Sequence, residues 1–82
     1  MPRRPHMSKC ISEAAGRAGM SVAEACTQAG MHRADAHHGS MSAERARRLA
    51  AVLGIEPGEL LAAYRADEVA RAHERVERWW TR

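Results

Sequence analysis

Glycine-punctuated helix signals in the middle of the chain constrain its fold more than any other feature. Ser21 and Glu24 have the spacing of a capping box, in which two side chains satisfy free backbone amides at a helix start. Gly30 follows after a few residues and favours the left-handed conformation that ends a helix and turns the chain. We therefore predict a helix over about Val22 to Ala29, followed almost at once by another.

Similar start and stop signals divide the rest of the chain, and no segment alternates as a strand does. The sequence thus predicts an all-α protein of five helices. Besides the helix already described, these run over about Lys9 to Ala18, about His32 to His38 with Gly39 as the stop, Ser42 as the cap through Leu53 with Gly54 as the stop, and Pro57 to about Trp80.

The apolar side chains are mostly too small to build a large core. Of the 82 residues, 45% are apolar, but seventeen of these are Ala, while Leu, Ile and Val number only ten together and Phe is absent. Ala favours helix yet buries little area. So small a core makes a monomer marginal, and we expect a dimer.

The fifth helix carries an apolar stripe that is predicted to extend beyond the core. The stripe begins with Leu61 and Tyr64, and the first half of the helix, Leu60 to Tyr64, is expected to close the core. Charged residues such as Asp67 and Arg71 are spaced as i,i+4 pairs. The second half has no evident partner, so we expect it to form a homodimer interface; the alternative is that it folds back onto its own core. The predicted interface residues are Val69, Ala72, Val76, Trp79 and Trp80.

Positive charge is concentrated in two parts of the chain. The net charge is +3. Residues 1–8, which we expect to be a flexible basic arm, contain Arg3 and Arg4 and no acid; residues 30–48 contain four Arg against two acids. Such a distribution suits a DNA backbone, although ordinary solvated surface would also explain it.

Taken together, these segments resemble the Cro/repressor (XRE-like) helix-turn-helix proteins over roughly Ile11 to Tyr64. The resemblance implies a compact five-helix domain over residues 9–64, with residues 65–82 as a helical extension. It departs from the family at Ala36 and Gly39, where members carry large aliphatic residues. The matching segments are Gly-Met-Ser-Val-Ala-Glu-Ala-Cys at 19–26, Ala-Gly-Met at 29–31, Ser-Ala-Glu-Arg at 42–45 and Leu-Ala-Ala-Val-Leu-Gly-Ile at 49–55.

The resemblance implies that the third helix enters the DNA major groove. Arg33 is the best candidate for a bidentate contact to guanine; a phosphate contact, or simple exposure at the helix start, is at least an equal alternative for it. Cys26 falls where the family has a small buried residue. The candidate base-facing residues are His32, Arg33, Ala34, His37 and His38, and the candidate backbone contacts are Arg45, Arg48, Arg3 and Arg4.

Two functions follow from these features. The first is a small sequence-specific transcriptional regulator that binds a short inverted repeat of double-stranded DNA as a homodimer. The second is a helix-turn-helix scaffold that binds a protein instead, such as a phage-encoded inhibitor or an antitoxin, which Asp35 and the two Trp residues favour. Neither catalytic nor metal-ligand spacing is present, so we expect no enzyme, metal site or cofactor. With two Cys and no long apolar segment, we expect a cytoplasmic protein without a membrane partner.

Overall fold

A computed structural model of the protein describes residues 5–37 and 41–81. This part of the chain contains helices and no strand, so the predicted all-α class and the number of helices are confirmed. The helices are α1 (Pro5–Arg17), α2 (Val22–Gln28), α3 (Arg33–His37), α4 (Ala43–Leu53) and α5 (Pro57–Trp80).

The predicted caps determine where α2 and α4 begin. Ser21 Oγ accepts a hydrogen bond from the Glu24 backbone N–H at 3.1 Å, and Ser42 Oγ accepts one from the Arg45 N–H at 3.2 Å. Gly54, the predicted stop, ends α4 in the left-handed conformation with a φ of 71°. Local sequence therefore fixes these boundaries, because each cap satisfies an amide or carbonyl that the helix itself leaves free.

The core is narrow and is filled mainly by small side chains. Ala residues from four helices are buried between a few larger side chains, and Cys26 is fully buried among them, as predicted. Small side chains let the helix backbones approach closely, which compensates in part for the little apolar area that each one buries. The large apolar members of this core are Met7, Ile11, Met41, Leu49, Leu53 and Leu60.

The first helix begins at Pro5, four residues before its predicted start at Lys9. The expectation of a flexible arm over residues 1–8 is therefore wrong for residues 5–8, which are helical, with Met7 fully buried. Pro is well suited to the first helical position because its missing N–H would have no partner there. Arg3 and Arg4 lie outside the described residues.

Asp67 explains why α1 starts so early. Its carboxylate accepts hydrogen bonds from the backbone N–H groups of His6, at 2.9 Å, and Met7, at 3.1 Å, and His6 Nδ1 lies 2.7 Å from the same carboxylate. Asp67 is only 1% exposed. A residue of α5 therefore caps α1 and places its negative charge against the positive end of the α1 dipole.

This contact replaces the expected pairing of Asp67 with Arg71. Arg71 Nη1 instead donates to Glu68 Oε1, one turn away, at 3.4 Å. The local i,i+4 interaction is worth only a few tenths of a kcal/mol at a helix surface, roughly 0.2–0.5. Free amides at a buried helix start need an acceptor more strongly, and Asp67 supplies it.

The core-facing side of α5 also differs from the predicted stripe. Leu60, rather than Leu61, is the fully buried leucine of this helix, and Ala63, Tyr64 and Asp67 continue its face at helical spacing. Beyond Arg71 every described residue of α5 is exposed. The helix therefore does not fold back; at about 36 Å for 24 residues it accounts for most of the 45 Å length of the molecule.

Replacing Asp67 tests whether this cap holds the two ends of the fold together. We expect Asp67→Ala to lower the free energy of unfolding by about 3 kcal/mol, because the buried amide of Met7 and the partly buried amide of His6 lose a charged acceptor. Asp67→Asn keeps one acceptor oxygen and should lose about half as much. Urea denaturation measures both; equal stability of all three proteins would contradict the capping role.

The same cap should make stability depend on pH. Burial raises the pKa of Asp67, but the hydrogen bonds from the His6 and Met7 amides and from the His6 ring outweigh it, so the pKa lies below its ordinary value of 3.8. The unfolded chain then takes up the proton first. The stabilisation is complete above pH 3.8 and is lost as the pH falls through the folded-state pKa. The stability difference between the unmodified protein and Asp67→Ala should therefore shrink below that pH in urea titrations.

Candidate nucleic-acid interface

A turn that is closed by two backbone hydrogen bonds joins α2 to α3. The N–H of Met31 donates to the carbonyl of Cys26 at 3.0 Å, and the N–H of Gly30 donates to that of Thr27 at 3.1 Å. Ala29 caps α2, and Gly30 has a φ of 72°. This is the Schellman arrangement, which satisfies the last carbonyls of a helix while reversing the chain.

The third helix is short, but residues just before it and near its end pack against the core. Ala36 is fully buried, and Met31 packs against the core just before the helix begins. The small Ala at this position brings the α3 backbone close to α2 and α1, which both contact it. A large aliphatic anchor is thus absent, as the sequence indicated, yet the described part of α3 is packed rather than loose.

His32 caps α3 with its side chain, a role that sequence reasoning missed. The N–H of Ala34 donates to His32 Nδ1 at 3.2 Å. In the neutral ring, an accepting Nδ1 leaves the hydrogen on Nε2, so the ring offers one donor for another molecule. The position directly before a predicted helix was the available signal, although His is not among the residues usually favoured there.

The structure brings four of the predicted contact residues to one part of the surface. His32, Arg33 and Ala34 are exposed at the start of α3. Arg48, on α4, reaches the turn just before them, since its Nη1 atom lies 3.7 Å from where a Cβ on Gly30 would be. Two exposed guanidinium-bearing residues, Arg33 and Arg48, therefore flank the turn between α2 and α3.

The remaining predicted contact residues are partly buried or lie at the edge of the described residues or beyond it. Arg45 is half-buried, while its neighbour Arg47 is exposed. His37 is the last described residue of α3. His38, Arg3 and Arg4 lie outside the described residues.

Neither cysteine is set up as a nucleophile. Burial is the main cause that raises the pKa of Cys26; the nearby Asp35 adds to it and Arg33 opposes it. Burial likewise raises the pKa of Cys10, with Glu59 contributing. Both thiols therefore remain protonated at neutral pH, where the thiolate would be the reactive form.

Comparisons with known proteins yield no relative: no family model, curated protein or solved structure matches the chain. Within residues 5–37 and 41–81, no helix is long and apolar enough to cross a membrane. The same residues bring no three His, Cys, Asp or Glu side chains together as a metal site.

Two glycine substitutions should have opposite effects on stability, one in the turn and one inside a helix. Gly30→Ala should lower stability by about 1–2 kcal/mol, because a Cβ is strained at this positive φ even though Arg48 leaves room for it. Gly16→Ala, inside α1 with nothing near its Cβ, should raise stability by roughly 0.5–1 kcal/mol. Thermal or urea unfolding gives the two signs; a stabilising Gly30→Ala would contradict the geometry of the turn.

Proposed function

We propose that this protein is a small, dimeric, sequence-specific DNA-binding regulator of the Cro/repressor helix-turn-helix type. The observation that carries the proposal is the turn between α2 and α3, which exposes His32, Arg33 and Ala34 beside Arg48. These residues combine a helix start with two guanidinium groups, and both features suit a phosphate-lined groove.

Each of the four residues has a distinct role in this proposal. Arg33 grips guanine O6 and N7 with two hydrogen bonds, and the Nε2–H of His32 donates to a neighbouring acceptor. Ala34 contacts a thymine methyl group. Arg48, on another helix, binds a phosphate and so sets the position of α3 without reading sequence.

The described part of α3 offers few residues to the bases. Its five residues span about 7.5 Å, roughly two base-pair steps of 3.4 Å. Specific recognition therefore needs two half-sites, and a homodimer on an inverted repeat supplies them about one helical turn apart. The exposed second half of α5 is the candidate surface for that dimer.

A protein-binding module is the second candidate function, and two observations favour it. Trp79 and Trp80 are 71% and 73% exposed, and indole side chains are enriched at protein interfaces. Asp35, half-exposed in α3, also opposes phosphate binding. In this alternative α5 docks on a different protein, and the turn between α2 and α3 contributes only to the fold.

Selection from random duplexes at physiological salt distinguishes the two functions. A regulator should enrich a short inverted repeat, and its log affinity should fall against log salt with a slope of roughly −4 to −5 if about five phosphates are contacted. Enrichment of no site would remove the support for the regulator and favour the protein-binding module.

Three Arg substitutions then test the individual roles. Arg33→Ala should cost about 1–3 kcal/mol on the preferred site and relax its base preference. Arg48→Ala should weaken all sequences alike and reduce the salt slope by about one per copy. Arg78→Ala removes the same charge from exposed α5, which does not contact α2 or α3, and should leave base preference unchanged. Equal effects of all three would mean that only net charge matters.

A further inference from the structure

The exposed half of α5 has the residue spacing of a coiled-coil seam. Val69, Ala72, Val76 and Trp79 are separated by three, four and three residues, which are the steps between successive a and d positions of a heptad. Val69 is 69% exposed, Val76 52% and Trp79 71%. Together these four residues are termed the α5 seam.

A shallow depression lies on this seam. It is lined by Ala72, Arg75, Val76 and Trp79, which are at positions i, i+3, i+4 and i+7 of the helix. Four residues in this arrangement form the hole that receives one side chain of a facing helix in coiled-coil packing. Ala72, the smallest of them, leaves space within the hole.

We infer that a second copy of this chain occupies the seam as a parallel, in-register helix, with the partner subunit's Val76 in the hole. In parallel pairing, an a-position side chain packs into the hole made by the preceding d and g residues together with the facing a and d residues. Those are the four residues that line the depression. The inference deepens the proposed regulator and rests on its dimeric state, not on DNA recognition.

Charges beside the seam favour the parallel orientation. Parallel pairing places Glu68 near the partner subunit's His73 and Arg75 near the partner subunit's Trp80, a pair suited to a cation–π contact. Antiparallel overlap of the whole seam would instead bring Arg75 against the partner subunit's Arg75, and like charges repel. The residues that flank the seam therefore favour the parallel orientation.

The end of the seam limits the strength of the dimer. Arg65, also exposed, occupies the preceding d position, where two guanidinium groups would meet and end the pairing. The interface then consists of two short heptads and four indole rings, each of which brings about 150–250 Å². This area falls at the small end of specific interfaces, so we expect dissociation in the micromolar range.

Parallel pairing also places the two folded bodies at the same end of the coil. The two-fold axis runs along the coil, and both α2–α3 turns therefore lie at the same end of the assembly. An antiparallel pair would put the bodies at opposite ends of the coil. The parallel form would present both turns to a DNA site whose two-fold axis coincides with that of the coil.

Sedimentation equilibrium without DNA, across the micromolar range, tests the surface. The unmodified protein should dimerise, and Val76→Glu should be monomeric with its helical circular dichroism unchanged, because Val76 touches no core residue. Thr81→Glu adds the same charge two residues beyond Trp79, away from the seam, and should still dimerise. A monomeric unmodified protein, or a Val76→Glu variant that dimerises equally well, would overturn the inference.

Disulfide formation tests the orientation. Mild oxidation of Val69→Cys should link the two copies through position 69, with the linked peptide identified by mass spectrometry. In an antiparallel pair, position 69 faces position 79, so the two thiols would be about 15 Å apart, beyond disulfide reach. Ala70→Cys, one residue away from the seam, is the matched control and should not link.

Neither assay contains DNA, so their outcomes are separate from those of the proposed function. A parallel dimer that enriches no DNA site would retain this inference and remove the regulator. A dimer in which Val69→Cys fails to link would overturn the parallel orientation while leaving DNA binding to be judged by its own selection experiment.

Discussion

The contact between Asp67 and the start of α1 is the interaction on which the rest of the fold depends. It joins residues about sixty positions apart and satisfies two backbone amides with one buried carboxylate. In a core filled mainly by Ala, each apolar contact contributes little. A charged hydrogen bond to a helix end contributes more and is directional. It therefore fixes α5 against α1, and with it the position at which α5 leaves the core.

Turns at glycine residues set the directions of successive helices, and they do so through local backbone conformation. Gly30 and Gly54 each adopt a positive φ that ends one helix and aims the next, so their contributions need no distant partner. At the turn between α2 and α3, the guanidinium of Arg48 on α4 reaches Gly30. The candidate interface thus depends on a local backbone conformation, whereas the closure of the fold depends on a long-range side-chain contact.

These two kinds of interaction explain how much the sequence alone could predict. The bounds of α4 and α5 and the start of α2 followed from caps, Pro and Gly within a few residues of each boundary. The start of α1 did not, because its cap lies on α5 and Asp67 has an equally regular local partner in Arg71. For the candidate site, the exposed Arg33 followed from the motif, but the cap made by His32 was missed because His is not among the residues usually favoured at a helix start.

The same thin core that needs Asp67 also leaves the second half of α5 uncovered. Closing the fold uses the face of α5 that carries Leu60 and Asp67, and the available partners end there. Val76, Trp79 and Trp80 lie on the part of α5 that extends past the core, where every described residue is exposed. In the proposed regulator, the described residues of α3 would span only about two base-pair steps, so a single copy would bind DNA with little selectivity. Pairing the exposed half of α5 would cover the seam and bring a second α3 to the same end of the assembly.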